Sequence, residues 1–152
     1  MDLDTAIPKV LVIFPAKNEE ETIEHVITTA KKSRYGPEIM VVDAFSSDRT
    51  VELARKAGSV VVEQSAKMFP AKGVAMKTGL WEAFKIKADI ILFLDADIKN
   101  LTPEWIDNLV KSTWYSIIHV PESKFYRFLN LVNPASTPFN IVLIFSFTYS
   151  HF

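Results

Sequence analysis

The chain has 152 residues, with 17 basic against 18 acidic side chains and a formal net charge of −1. A charge so close to zero gives no electrostatic reason to expect binding to nucleic acid or to an anionic membrane. The absence of cysteine excludes a disulfide framework and a thiolate metal site. The acidic start, MDLDTAIPKV, lacks the basic and apolar regions of a secretory signal, so a cytoplasmic location is expected.

The first strands and the helix between them are clear in the sequence. The continuous apolar runs KVLVIF (9–14) and EIMVVD (38–43) are typical of buried strands. The intervening segment predicts an amphipathic helix, for which Asn18 is the expected N-cap. Its apolar positions, spaced at i, i+3, i+4 and i+7, are Ile23, Val26, Ile27 and Ala30.

A second helix, a short third strand and a third helix follow. The second helix is expected to be capped by Ser46 or Ser47 and to end at Gly58, before the strand SVVVEQ. The third helix is predicted from about Val74 to Ile86. Its apolar side consists of Met76, Leu80, Trp81 and Phe84.

The strand DIILFLD (89–95) and a helix opened by Thr102 and Pro103 complete the alternation. The residues of that helix predicted to face the protein core are Trp105, Ile106, Leu109 and Val110. Apolar strands alternating with amphipathic helices imply an α/β fold, with a mostly parallel sheet and helices on both faces. In such sheets, ligands bind outside the carboxyl ends of the strands.

Acids and polar turns follow the predicted strands. The four segments are PAKNEE, DAFSSDRT, AKMFPAKG and DADIKN, and the fold places all of them at one edge of the sheet. Side chains alternate along a strand, so Asp95 and Asp97 lie on the same side and both can face one ion. By itself, the pair is also compatible with a turn before the next helix.

Other classes of site fit the same segments less well. A dinucleotide-binding turn needs glycines after the first strand, and none occurs between Met1 and Tyr35. The segment AKG lacks the flanking glycine and hydroxyl residue of a phosphate-binding P-loop. A phosphatase of the haloacid dehalogenase type remains an alternative, although Lys99 stands where such enzymes have Thr or Val.

Four segments together resemble the nucleotide-sugar-dependent glycosyltransferases of the GT-A fold. They are VIFPAKNEEETI, VVDAFSSDRTVELARKAG, AKG and IILFLDADIKNLTPEWIDNLV, in that order. Within this group the sequence is most similar to glucosyl-3-phosphoglycerate synthases, and polyprenyl-phosphate sugar synthases are near neighbours. The resemblance covers about residues 8–113 and then fades.

The resemblance implies a role for each matched residue. Asp97 would be a direct ligand of Mg²⁺ or Mn²⁺, with Asp95 in the metal shell or at the ribose, because a cation must separate carboxylates from a diphosphate. Asp43 would accept a hydrogen bond from the base. The nucleotide-binding residues implied in this way are Pro15, Ala16, Glu19, Asp43, Lys72, Gly73, Asp95 and Ala96. Simpler alternatives are compensation of the helix dipole for Glu19 and an Asx-type turn for Asp43.

The implied activity is transfer of a hexose, expected to be glucose, from a nucleotide diphosphate sugar of the UDP-glucose or GDP-mannose class. The implied acceptor is 3-phosphoglycerate or a similar phosphorylated small molecule. No residue of this chain can be matched to the catalytic position of the family. A truncated module that binds the nucleotide sugar without turnover is therefore the alternative.

The aromatic-rich tail, residues 114–152, differs in composition from the nucleotide-sugar-binding α/β domain predicted over residues 1–113. The tail contains ten of the 18 aromatic residues and a single acid, Glu122. Its last apolar run is shorter than the roughly 20 residues that span a bilayer, so no transmembrane span is predicted. We expect the tail to continue the same domain or to be a remnant of a truncated acceptor half. It would either cover a sheet edge or expose an apolar patch that favours homo-oligomers.

Overall fold

A computed structural model of the chain describes residues 7–65, 72–119 and 142–145. The elements within these residues are β1 (Val10–Ala16), α1 (Ile23–Ala30), β2 (Glu38–Asp43), α2 (Thr50–Lys56), β3 (Val60–Glu63), α3 (Lys72–Ile86), β4 (Ile90–Phe93), α4 (Pro103–His119) and β5 (Val142–Phe145). The predicted alternation of strands and helices is confirmed. One further strand, β5, comes from the aromatic tail.

The strands form one parallel sheet in the order β3-β2-β1-β4-β5. The central strand, β1, is almost completely buried, which explains its continuous apolar sequence. Strands β2 and β3 extend to one side of β1, and β4 and β5 extend to the other. The strand order therefore reverses between β1 and β4, where a doubly wound sheet opens a crevice at its carboxyl edge.

Helices pack on both faces of the sheet, as predicted. One face is covered by α1, α2 and α4, and the other by α3. The four predicted apolar positions of α1 are fully buried. In α4, Ile106 and Val110 are fully buried and Leu109 packs against them, whereas Trp105 is 40% exposed. Of the four residues of α4 predicted to face the core, only Trp105 was assigned wrongly.

The side of α3 that faces the sheet agrees with the prediction only in part. Its buried residues are Ala75, Thr78, Gly79 and Ala83. Of the predicted large residues, Met76, Leu80 and Phe84 are half-buried and pack against the same core, whereas Trp81 is 68% exposed. The helix lies so close to the strands that a Cβ on Gly79 would be 3.0 Å from Ile13 Cγ2 and 3.2 Å from Val42 Cγ2. Because α3 packs so closely on the sheet, only small residues fit at the positions of α3 in direct contact with the strands.

Replacing Gly79 by valine should destabilise the fold by about 1–3 kcal/mol, because the added carbons have no room between α3 and the sheet. Gly73→Val is the matched control on the same helix, since a Cβ there meets no atom within 4 Å. The measurement is the urea concentration at the midpoint of unfolding for both variants. Equal midpoints would show that α3 is free to move away from the sheet.

The predicted helix caps on the first two helices were wrong. Helix α1 begins five residues after Asn18, with Thr22 at its N-cap and no side-chain capping bond. Asn18 has a left-handed backbone (φ +56°), and its Oδ1 accepts a hydrogen bond from Ser47 N at 2.8 Å. The position before α2 is Arg49 rather than a serine. Gly58 ends α2 as predicted, with φ +79°.

The structure extends regular elements past residue 113, since α4 continues to His119 and β5 pairs with β4. Most of the aromatic tail lies outside the described residues, and the division of the chain at residue 113 stays a prediction. None of the helices in the described ranges is long and apolar enough to cross a membrane.

Candidate functional site

A cleft of about 360 Å³ lies at the carboxyl ends of β1 and β4, at the point where the strand order reverses. It is lined by Pro15, Ala16, Lys17, Glu19, Ala44, Lys72, Ala75, Asp95, Ala96 and Asp97. The structure thus brings together all of the residues predicted from the sequence except Asp43 and Gly73. Their binding roles remain predictions.

The sheet explains why distant segments meet at this cleft. β1 continues through Pro15 and Ala16, two residues beyond its predicted end, and Ala16 pairs with Asp43 of β2. On the other side of β1, Leu94 N donates to Ile13 O at 3.0 Å. β4 ends at Phe93 and not at Asp95 as predicted, so Asp95 and Asp97 follow the strand and do not alternate along it. Both line the cleft together with Pro15 and Ala16 from the end of β1.

Three lining residues were missed by the sequence reasoning. Lys17 and Ala44 directly follow the ends of β1 and β2, so the rule that ligands bind at strand ends could have identified both. Ala75 lies on the sheet-facing side of α3. Its small size kept it out of the prediction, which placed only the large apolar residues of α3 on the sheet-facing side.

The cleft combines carboxylates and ammonium groups. Glu19, Asp95 and Asp97 supply three carboxylates, while Lys17 and Lys72 supply two ammonium groups. The Lys72 ammonium forms an ion pair with Asp95 Oδ1. Burial raises the pKa of Glu19, and the nearby carboxylates, first among them that of Asp97, raise it further. The lining therefore carries one more carboxylate than ammonium groups.

The donor atoms fit a hard divalent cation. Asp95 and Asp97 offer carboxylate oxygens, which Mg²⁺ and Mn²⁺ prefer. Within residues 7–65 and 72–119, no group of three or more His, Cys, Asp or Glu side chains is arranged to hold a metal. A cation there would need further oxygens from water or from a bound phosphate. Mg²⁺ commonly binds in this way, through one or two carboxylates together with substrate phosphates.

The two predicted residues outside the cleft lining are at its border. Asp43 precedes the lining residue Ala44 and is only 4% exposed. Its Oδ2 accepts a hydrogen bond at 3.1 Å from Ser46 N, three residues further on and not two as in an Asx turn, so this oxygen orders the loop after β2. In the described part of the chain, its buried Oδ1 has no hydrogen-bond partner, which leaves an acceptor for a ligand N–H. Gly73 lies in the first turn of α3, next to Lys72.

The parallel sheet, the flanking helices and the acidic cleft at the switch point define a glycosyltransferase fold of the GT-A class. The chain is similar to the solved structure of glucosyl-3-phosphoglycerate synthase from Mycobacterium tuberculosis in complex with Mn²⁺, uridine diphosphate and glucosyl-3-phosphoglycerate. The TM-score is 0.60 at 32% sequence identity, over 68% of this chain and 39% of that one.

Residues 11–113 match Glycosyl transferase family 2, and the chain belongs to that family. It is 34% identical over 110 residues to glucosyl-3-phosphoglycerate synthase of Petrotoga mobilis, covering 67% of this chain and 34% of that protein. It is 30% identical to an undecaprenyl-phosphate 4-deoxy-4-formamido-L-arabinose transferase of Photorhabdus laumondii, over 70% of this chain and 34% of that protein. The chain thus spans about a third of the length of these curated relatives.

Proposed function

We propose that the cleft binds a nucleoside diphosphate sugar together with Mg²⁺ or Mn²⁺, and that the chain provides the donor-binding part of a hexosyltransferase. The observation that carries this proposal is the meeting of Asp95, Asp97 and Lys72 in one cleft at the switch point of the sheet. The family membership and the solved relative with Mn²⁺ and uridine diphosphate support it.

The charge of the cleft explains why a cation is needed. Three carboxylates against two ammonium groups leave the lining with a net negative charge, which repels a diphosphate. A bound divalent cation would neutralise the diphosphate and stabilise the departing nucleoside diphosphate. Asp97 is the proposed direct ligand, and Asp95 the second carboxylate of the metal shell or the contact to the ribose. Lys72 would bind the diphosphate as a point charge.

The nucleotide base is proposed to lie between the loops that follow β1 and β2. Pro15, Ala16 and Glu19 supply one side of this pocket. The buried Oδ1 of Asp43 is the proposed acceptor for the N–H of the base, because a buried carboxylate oxygen without a partner is costly. Gly73 and Ala96, which have little or no side chain, would let the ligand approach the backbone.

For the transfer, we propose glucose as the sugar and 3-phosphoglycerate or a similar phosphorylated molecule as the acceptor. The relatives from Petrotoga mobilis and Mycobacterium tuberculosis support this choice. The similarity to the undecaprenyl-phosphate transferase favours a polyprenyl phosphate as the alternative acceptor. Binding of the donor without turnover is the other alternative, because no catalytic residue has been assigned to this chain.

The test is a calorimetric titration of the wild-type chain with UDP and GDP, each with and without Mn²⁺. We expect one of the two nucleotides to bind at least about tenfold more tightly with Mn²⁺, as expected for a cation that bridges carboxylates and diphosphate. A transfer assay with UDP-glucose then compares 3-phosphoglycerate with undecaprenyl phosphate. Binding that does not depend on Mn²⁺, or no binding at all, would contradict the proposal.

A further inference from the structure

The loop after β1 is fastened to the loop after β2 by three consecutive backbone amides, those of residues 18–20. Each amide N–H donates to a side-chain oxygen of the segment 46–50. The acceptors, in order, are Ser46 Oγ at 2.9 Å, Thr50 Oγ1 at 2.8 Å and Asp48 Oδ2 at 3.2 Å. We call these three hydrogen bonds the amide clasp. The clasp fixes the backbone of the loop that carries Glu19.

Asp48 determines which groups donate and which accept in the amide clasp. Its Oδ1 lies 2.5 Å from Thr50 Oγ1, and an ionised carboxylate only accepts, so the threonine hydroxyl donates its proton to Asp48. The lone pairs of Oγ1 are then left for Glu19 N–H. Burial opposes ionisation of Asp48, but hydrogen bonds from Thr50 and from Glu20 N lower its pKa overall. Thr50 is fully buried, so water does not compete for this arrangement.

Neither Asp48 nor Thr50 lines the cleft, whereas Glu19 does. The carboxylates of Glu19 and Asp97 line the same cleft, and burial together with the charge of Asp97 raises the pKa of Glu19. The placement of Glu19 relative to the ligand therefore depends on a backbone that two residues outside the cleft hold in place. The clasp also joins the two loops that border the proposed base pocket.

We propose that Asp48 and Thr50 are positioning residues for donor binding, acting through the Glu19 backbone. The proposal rests on the proposed function of the cleft. Asp48 Oδ1 also accepts a hydrogen bond from Thr50 N at 3.0 Å, so Asp48 could serve only to cap the start of α2. That role predicts a different experimental result. A capping residue affects the stability of the helix, whereas a positioning residue affects the affinity of the folded protein for its nucleotide.

The test compares Thr50→Val, which keeps the shape but removes the acceptor, with Thr50→Ser, which keeps the hydroxyl. The measured quantity is the affinity for UDP or GDP in the presence of Mn²⁺, with the nucleotide that the wild-type chain binds more tightly. The temperature is chosen so that urea unfolding curves show every variant to be folded. We expect about tenfold weaker binding for Thr50→Val and affinity within about twofold of wild type for Thr50→Ser.

A control for general loss of stability is Ser33→Ala, which removes the hydrogen bond from Ser33 Oγ to Asp107 Oδ1 beyond the C-terminal end of α1. It should leave the nucleotide affinity unchanged. Wild-type affinity in Thr50→Val, or equal losses in Thr50→Val and Ser33→Ala, would overturn the positioning role.

A second readout separates this proposal from the proposed function. Hydrogen exchange of the Glu19 amide, measured without nucleotide, should be faster in Thr50→Val than in Thr50→Ser. Equal exchange would overturn the clasp itself. If wild type binds no nucleotide while Glu19 exchange still differs, the clasp is supported as a fastening of the loop, and the proposed function and the positioning role in donor binding are both overturned.

Discussion

Asp97→Asn should weaken Mn²⁺-dependent nucleotide binding by about 100-fold or more, because a neutral amide replaces the proposed direct carboxylate ligand. The folded state should be nearly unaffected. Asp97 is exposed, and among the described residues it makes no hydrogen bond or ion pair. Exposed substitutions of this kind usually change the free energy of unfolding by no more than about 0.5 kcal/mol. The measurement is the calorimetric titration with and without Mn²⁺, together with a urea unfolding curve.

The matched control for Asp97→Asn is Asp89→Asn, which removes the same charge near the other end of β4. Asp89 Oδ2 accepts a hydrogen bond from Lys9 N at 2.8 Å, and the asparagine carbonyl can still accept it. We expect wild-type affinity for Asp89→Asn. If both variants lose affinity equally, net charge rather than a metal ligand explains the effect. Unchanged Mn²⁺ dependence in Asp97→Asn would contradict the assignment.

The sheet and the position of the cleft could be predicted because they depend on strong, local signals. A strand buried on both faces has a continuous apolar sequence, and this identified β1, β2 and β4. Once parallel strands are inferred, their carboxyl ends must share one edge. Asp95 and Asp97 could therefore be assigned to the same edge as Pro15 without knowledge of the strand order.

The contacts of Asn18 could not be predicted in this way. Its backbone N–H and side chain bind the serines 28 and 29 residues further along the chain. Such a contact depends on β1 and β2 being neighbours, which the local sequence does not specify. A sequence pattern offers asparagine and serine as helix caps because that is their commonest local role. Here the same side-chain chemistry joins two loops instead.

The orientation of α3 illustrates a different limit. A pattern of large apolar residues predicts the buried side of a helix when the free energy gained by removing those residues from water determines how the helix packs. In α3, the distance to the sheet is decided by Gly79, which allows contact with Ile13 and Val42. The small residues are inside for this reason. Ala75 consequently lines the cleft, although nothing in its type suggested a functional position.

The second large effect is expected for Lys72→Met, which should change metal binding and nucleotide binding in opposite directions. The ion pair with Asp95 means that a cation entering the cleft must compete with the Lys72 ammonium. Removing that competitor should strengthen binding of Mn²⁺ alone by about twofold to fivefold, the range of a partly exposed ion pair. Loss of the Lys72 ammonium, which is proposed to contact the diphosphate, should weaken nucleotide binding by about tenfold or more.

Lys77→Met provides the control, because Lys77 is an exposed lysine on the same helix that does not line the cleft. It should leave both affinities unchanged. Mn²⁺ binding is measured by its effect on water proton relaxation, and nucleotide binding by calorimetry at saturating Mn²⁺. Loss of both affinities in Lys72→Met would mean that the ion pair shapes the cation site, so that Lys72 does not compete for Asp95. Opposite changes would show that one ammonium group holds the carboxylate in the free protein and the diphosphate in the complex.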